Sequence, residues 1–317
     1  MHLDRTPLFD RLDGARRILI AGAGGGFDVF SGLPLYFRLK ELGHEVFLAN
    51  LTNSRLGRVE GRRFVHGVVE VNADSDGLWE YFPEKYLSAW FRAQGEEVSV
   101  WCFPKLGGRP LIEAYEALVS ELGIDAVVLV DGGTDILMRG DEEGLGTPHE
   151  DVASLAAVDE LTIPDKFLVC VGFGVDAFHG VCHAHVLEAV AATIRVEGFL
   201  GAQSLLARMP EVRRYRDAVN YLVEQMPQFP SIVCTSVCAA IEGEYGDHHR
   251  TDRTRGSVLW INPLLGMMWG FELQAVARRC LYLDAVKQTG DMGEIGLVIH
   301  TARQALGRVR PRVDIPI

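Results

Sequence analysis

The chain has 317 residues, 48% of them hydrophobic, which is enough to bury a sizeable core and suits one large α/β domain. Its formal net charge of -12 argues against nucleic acid as a partner, because binding a phosphate backbone needs a concentrated positive surface. No apolar run approaches the roughly 20 residues of a membrane span and the polar start lacks a signal-peptide core, so the expectation is a cytoplasmic protein with no membrane partner.

Apolar runs of strand length recur at residues 18–21, 46–49, 98–103, 126–130, 167–171, 232–237 and 258–261. Helical periods separate them, at 33–42, 84–94, 110–122, 150–160, 183–196, 212–225 and 271–286. About seven strands alternating with helices predict a doubly wound, mainly parallel, Rossmann-like α/β sheet with helical insertions. Residues 64–71 alternate apolar and polar side chains, which predicts an antiparallel or edge strand. Within a single domain over 1–317, residues 64–95 and 197–226 are expected to form cap insertions; the latter segment shows no clear strand. Six scattered cysteines without a C-x-x-C pair read as reduced, mostly buried thiols.

The first run, Arg17-Ile-Leu-Ile-Ala-Gly-Ala-Gly-Gly-Gly-Phe-Asp28, breaks from a strand into clustered glycines and a carboxylate. Gly22, Gly24, Gly25 and Gly26 are candidates to aim backbone N–H groups at a phosphate, a carboxylate or a sugar, with Asp28 beside them. A dinucleotide fingerprint would place a third glycine where Phe27 stands and an acid at the end of the second strand, which instead reads Leu48-Ala-Asn-Leu-Thr-Asn53. No Gly-Lys-Ser/Thr ending follows either, so a classical NAD enzyme is disfavoured and the loop is not that of a nucleoside triphosphatase. Pro34 suits a first helical turn, with Ser31 or Gly32 as its cap.

The run Asp125-Ala-Val-Val-Leu-Val-Asp-Gly-Gly-Thr-Asp135 repeats this grammar. Ligands of open α/β sheets sit outside the carboxyl ends of the strands, so Asp131, Thr134 and Asp135 fall beside the glycine loop if the two strands are neighbours. Paired acids hold a divalent cation, grip sugar hydroxyls, or split their pKa values between acid and base roles; a loop of Asx-type hydrogen bonds explains them as well. Thr147, followed by Pro148 and Glu150, reads as a helix cap, while Arg139, Asp141 and Glu142 suit either an ion-pair network or substrate contacts.

A third strand end supplies Asp176 and His179, the latter the best candidate for proton transfer near neutral pH. His179, His183 and His185 form a weak metal set, opposed by the intervening Gly180. Glu242, Glu244, His248, Arg250, Arg253 and Arg255 either line the same cleft or belong to a solvated loop. Asn262 offers an amide at the end of the last run or begins a Pro-terminated turn, and Trp269 and Phe271 read as core.

The stretches at 22–35 (GAGGGFDVFSGLPL), 131–135 (DGGTD), 140–148 (GDEEGLGTP) and 260–264 (WINPL) together resemble a family of bacterial and archaeal proteins known only as a domain of unknown function. The resemblance spans nearly the whole chain and implies one full-length module; it carries no reaction and hence no catalytic residue. The 131–135 turn is also similar to the metal-binding aspartate cluster of nucleoside hydrolases, although the rest of that signature is missing.

The expected activity is acid/base or metal-assisted hydrolysis or elimination on a nucleoside, sugar or carboxylate metabolite. Asp28, Asp131, Asp135 and Asp176 would bind hydroxyls or a divalent cation, and His179 would move a proton. The alternatives are a noncatalytic nucleotide or metabolite binder and a nucleotide-cofactor-dependent transferase or oxidoreductase. No cofactor is named by the sequence beyond that cation, and homo-oligomerisation is left open.

Overall fold

The structure, a computed structural model, describes residues 5–76, 80–257 and 259–315. Its strands are β1 (Arg17–Gly22), β2 (Glu45–Leu51), β3 (Val69–Val71), β4 (Val100–Phe103), β5 (Ala126–Asp131), β6 (Asp165–Val171), β7 (Phe199–Ser204), β8 (Gly246–Asp247), β9 (Trp260–Ile261) and β10 (Met267–Glu272). Eight of them form one sheet in the order β3-β4-β2-β1-β5-β6-β10-β7, and β8 pairs with β9 in a separate ribbon. The pairs β4·β2, β2·β1, β1·β5 and β5·β6 are parallel, whereas β3 and β10 run against their neighbours.

The helices are α1 (Pro7–Leu12), α2 (Asp28–Ser31), α3 (Leu33–Glu41), α4 (Pro83–Ala93), α5 (Gly108–Leu122), α6 (Pro148–Glu160), α7 (His183–Arg195), α8 (Pro210–Gln225), α9 (Ile232–Glu242), α10 (Leu273–Ala277), α11 (Leu283–Val286) and α12 (Met292–Ala305). Successive strand residues point to opposite faces, so Ile18 and Ile20 of β1 enter one core while Leu19 and Ala21 enter another. The first core takes α1 to α4, α8 and α9; the second takes α5 to α7 and α10 to α12. This is a doubly wound α/β sheet, buried on both faces, which is why its central strands read as unbroken apolar runs. Among the described residues no helix is long and apolar enough to cross a membrane.

The order in which strands are added reverses at β1. The chain lays β2 and β4 on one side of it and then returns to place β5 and β6 on the other. The loops after β1 and β5 therefore diverge around a crevice at the carboxyl edge, and the backbone keeps them joined at its base, where the Ala23 amide donates to the Val130 carbonyl at 2.8 Å.

Three elements depart from the sequence expectation. Residues 232–237 are not a strand but the first half of α9; Ser231 accepts a hydrogen bond from the Cys234 amide at 3.1 Å, and Gly243 ends the helix at φ 91°. An apolar run of this length fits a buried helix as well as a buried strand, and the cap decides. Ser231→Ala is expected to cost about 1 kcal/mol in a urea titration, with no change of fold by circular dichroism; an unchanged midpoint would show that the cap contributes nothing.

The expected helix over 271–286 begins instead with strand β10, which is hydrogen-bonded on both edges, and Phe271 is core as expected. Residues 197–226 supply β7 and α8, so the segment read as strandless contains a sheet-edge strand. At the far edge, β3 is the antiparallel strand expected within 64–71. Val258, the first residue of the last expected strand, lies outside the described residues; β9 begins at Trp260.

Candidate functional site

Five buried aspartates meet at this edge. Asp28 opens α2, Asp131 ends β5, Asp135 follows in the next turn, Asp151 sits in the first turn of α6, and Asp176 lies in the turn after β6; none exceeds 9% exposure. Backbone amides and hydroxyls accommodate three of them. Asp28 accepts from the Gly24 amide at 2.5 Å, Asp135 from the amide and hydroxyl of Thr147 at 2.8 and 3.2 Å, and Asp176 from the Thr134 amide at 2.6 Å. Asp131 has only a long contact from the Ile136 amide, at 3.4 Å. Neither oxygen of Asp151 has a hydrogen-bond partner.

The glycines make this crowding possible. A Cβ on Gly24 would fall 2.9 Å from Asp28 Oδ2 and collide with Asp151 Oδ1. One on Gly132 would meet Asp28 Oδ1 at 2.7 Å and Ser31 Oγ at 3.0 Å, and one on Gly133 would meet Asp176 Oδ2 at 2.7 Å. Burial raises all five carboxyls above their ordinary range. Asp28 is pushed up to about 7, against the opposing pull of the Gly24 amide and with Asp135 adding to the rise. The charges acting on Asp151 are those of Asp135, Asp131, Asp28 and Glu150, all carboxylates.

Asp28 also lines a cavity of about 400 Å³, together with Gly25, Gly26, Ser31 and Asn53. Phe27, Tyr81 and Phe229 supply aromatic walls, with Tyr81 set edge-on to both rings at 5.6 and 5.7 Å. His179 and Arg253 are also on the lining, and Arg253 spends one N–H on the Pro230 carbonyl at 3.0 Å. Cys234, in the first turn of α9, contributes a thiol that burial pushes up to about 11, which makes it a wall rather than a nucleophile.

The floor of the glycine loop is held from β2 and α4. Asn50 is fully buried and donates to the Gly26 carbonyl at 3.0 Å and to Glu84 Oε1 at 2.7 Å, and Ser54 donates to Glu84 Oε2 at 3.0 Å. Burial raises the Glu84 carboxyl, while hydrogen bonds from Thr52, Asn50 and Ser54 work in the opposite direction. A carboxyl raised on folding contributes stability that is complete below its unfolded pKa and is lost as the pH climbs through its folded pKa. Wild-type stability should therefore fall as the pH rises above about 4.5, and Glu84→Gln should flatten part of that fall in paired urea titrations. Identical slopes in the two proteins would remove Glu84 from the account.

Residues 19–303 match the family described as Protein of unknown function (DUF1152). The chain belongs to that family. Comparison with curated proteins gave no match. All five aspartates of this DUF1152 site, and the four stretches that carry the resemblance, fall inside the matched residues.

Asp28, Asp131, Asp135 and Asp176 come together, but only Asp28 reaches the cavity, where His179 joins it. Of the four glycines, Gly25 and Gly26 line the cavity; Gly24 gives its amide to Asp28, and Gly22 lies in β1 against Asn50. The histidine metal set does not form. The short 3-10 helix over Val175–His179 ends at Gly180, φ 87°, and α7 restarts only at His183, whose ring lies against Phe173 and under Gly174. Thr147 does not use its hydroxyl as a cap but turns it to Asp135.

Arg139, Asp141 and Glu142 form ion pairs or hydrogen bonds with one another and with Arg310, and Asn262 makes a turn by accepting from the Leu264 amide. From the 242–255 group only Arg253 lines the cavity; Glu242 pairs with Arg216 and Arg250, Glu244 with His248, and Arg255 with Asp252.

Sequence reasoning missed Asp151, Asn50, Glu84 and Tyr81. Asp151 carried a usable signal: it is followed by Val152-Ala-Ser-Leu-Ala-Ala-Val158, a helix with no polar face, and a helix apolar all round is buried together with its first-turn acid.

Proposed function

We propose that this chain is an enzyme that hydrolyses, or eliminates a group from, a polar small molecule carrying an anionic group. The observation that supports this best is the cavity beside the carboxyl end of β1, where Asp28 is both cavity lining and part of a buried acidic cluster. Its volume of about 400 Å³ suits a nucleoside- or sugar-phosphate-sized ligand. The aromatic walls would take a flat or apolar face, Gly25 and Gly26 would accommodate hydroxyls against the backbone, and Arg253 would meet a phosphate or carboxylate. His179 would move the proton and Asp28 would hold a substrate hydroxyl or a water. A noncatalytic binder is the second reading, favoured by the internal bonds that already occupy Asp135 and Asp176.

Thermal shift against nucleosides, nucleotides, sugar phosphates, carboxylate metabolites and NAD(P) tests the cavity first. Arg253→Ala is expected to weaken an anionic hit about tenfold, in line with one lost charge-assisted bond. His179→Ala should keep the affinity and lower turnover of that compound at least about 100-fold, the usual worth of a general acid or base. Full turnover in both Asp131→Asn and Asp135→Asn would make the assignment of these carboxylates to the site wrong, whereas tight binding with no turnover of any compound would leave the binder. Stabilisation by NAD(P) with no turnover of the other hits would favour the cofactor-dependent alternative.

A further inference from the structure

We infer that Asp28, Asp131 and Asp151 hold one hard divalent cation, of the class of Mg2+, Mn2+ or Ca2+, beneath the cavity. One oxygen from each carboxylate lies within 4.8 Å of the others. Ligands on opposite sides of one ion are about 4.2 Å apart for Mg2+ and about 4.8 Å apart for Ca2+, so a single ion can reach all three. Proximity of acids alone would not carry the assignment. The deciding observation is Asp151, 2% exposed, with both oxygens buried and without a donor. The protein gives amide or hydroxyl donors to Asp28, Asp135 and Asp176, yet it seats Asp151 among carboxylates with nothing to replace its lost hydration.

A second buried oxygen stands beside the same acids: Ser31 Oγ, 1% exposed as a residue, flanks Asp28 Oδ1 across the space that a Cβ on Gly132 would fill. The donor set is entirely oxygen, without the thiolate or imidazole that selects zinc or copper. Three protein ligands leave coordination positions for water or substrate oxygens, and Asp28 is the ligand shared with the cavity. A cation there would supply a Lewis acid or an acidified water to the chemistry proposed above. The inference concerns the same cavity, but its test uses the metal alone, so that either reading can fail while the other stands.

Full-length protein stripped with chelator and titrated with Mn2+, read by electron paramagnetic resonance and by melting temperature, decides the matter. The expectation is one Mn2+ per chain, displaced by Mg2+ or Ca2+, and a melting temperature raised by about 5 °C at a hundredfold excess over Kd. Asp151→Asn should weaken Mn2+ at least about 100-fold, as loss of a charged ligand does, and lose the thermal shift. Without metal the same variant should melt above metal-free wild type, because one of three crowded charges is gone. Glu121→Gln, on the exposed side of α5 beside Arg62 and away from the site, should bind Mn2+ within about threefold of wild type, well inside one 1.4 kcal/mol decade. Should Asp151→Asn fail to fold, Asp131→Asn carries the same expectation. Wild type that binds none of the three ions at millimolar concentration overturns the inference, and so does undiminished binding in a folded Asp151→Asn or Asp131→Asn.

Discussion

Gly24→Ala is expected to destabilise the folded chain by about 3 kcal/mol, at the upper end of what an inserted methyl costs in a packed interior. The backbone at Gly24 is not in the left-handed region, so the penalty is steric and not conformational. The new Cβ would lie 2.9 Å from Asp28 Oδ2 and inside the space of Asp151 Oδ1, and neither side chain has room to retreat because both are buried. Gly132→Ala should behave similarly, meeting Asp28 Oδ1 at 2.7 Å from the other side. Gly14→Ala is the control: no atom lies within 4 Å of its Cβ, and its change should stay within about 0.5 kcal/mol. Urea titrations of the three variants separate two roles for the glycine loop. If Gly24→Ala matched Gly14→Ala, the glycine at that position would not be there to admit carboxylates, and a cradle for an external anion would be the better account.

The loop's composition thus fits two roles. Four glycines and an acid after a first strand read as a phosphate cradle, and the position of that loop at the sheet's carboxyl edge was legible from the alternation of apolar and helical segments. The groups that crowd it were not, because Asp151 comes from α6 and Gly132 from the loop after β5, more than 100 residues away along the chain, while the Gly24 amide turns to Asp28 only four residues on. The adjacency of Asp131 to the glycine loop depended on strand order, which no single-sequence pattern encodes; the β1·β5 pairing supplies it.

The same gap in information explains the helix at 232–242: its apolar residues fit either period, and the Ser231 cap, with packing against α8, β9 and the 263–266 turn, distinguishes them. Strand β7 was hidden for the opposite reason. Phe199-Leu-Gly-Ala-Gln-Ser204 is polar toward its end because the strand lies at an edge, where half its surface is open. Asp151 stood in plain view in a first helical turn, where an acid ordinarily needs no explanation beyond the helix dipole.

Asn50 is where a stability experiment bears most directly on how the cavity is built. Asn50→Ala is expected to cost about 3 kcal/mol: it leaves the Gly26 carbonyl and Glu84 Oε1 without the donor they now share, in a place with no exposure to water. Asn50→Asp conserves shape and should nevertheless be worse above neutral pH, because it removes the same donor and sets a second carboxylate where the amide now lies 2.7 Å from Glu84 Oε1.

The two variants should gain from acid to different degrees. Two carboxyls that close share a proton, which restores one hydrogen bond, so Asn50→Asp should recover toward or past Asn50→Ala as the pH falls from about 8 to about 5. The alanine variant has no proton to take up at that position and should gain only what protonation of Glu84 supplies. Urea midpoints of wild type and both variants at the two pH values give the ordering. An Asn50→Ala protein with the wild-type midpoint would mean that the second strand does not anchor the glycine loop, and the cavity rim at Gly25 and Gly26 would then owe its shape to Asn53 and Tyr81 instead.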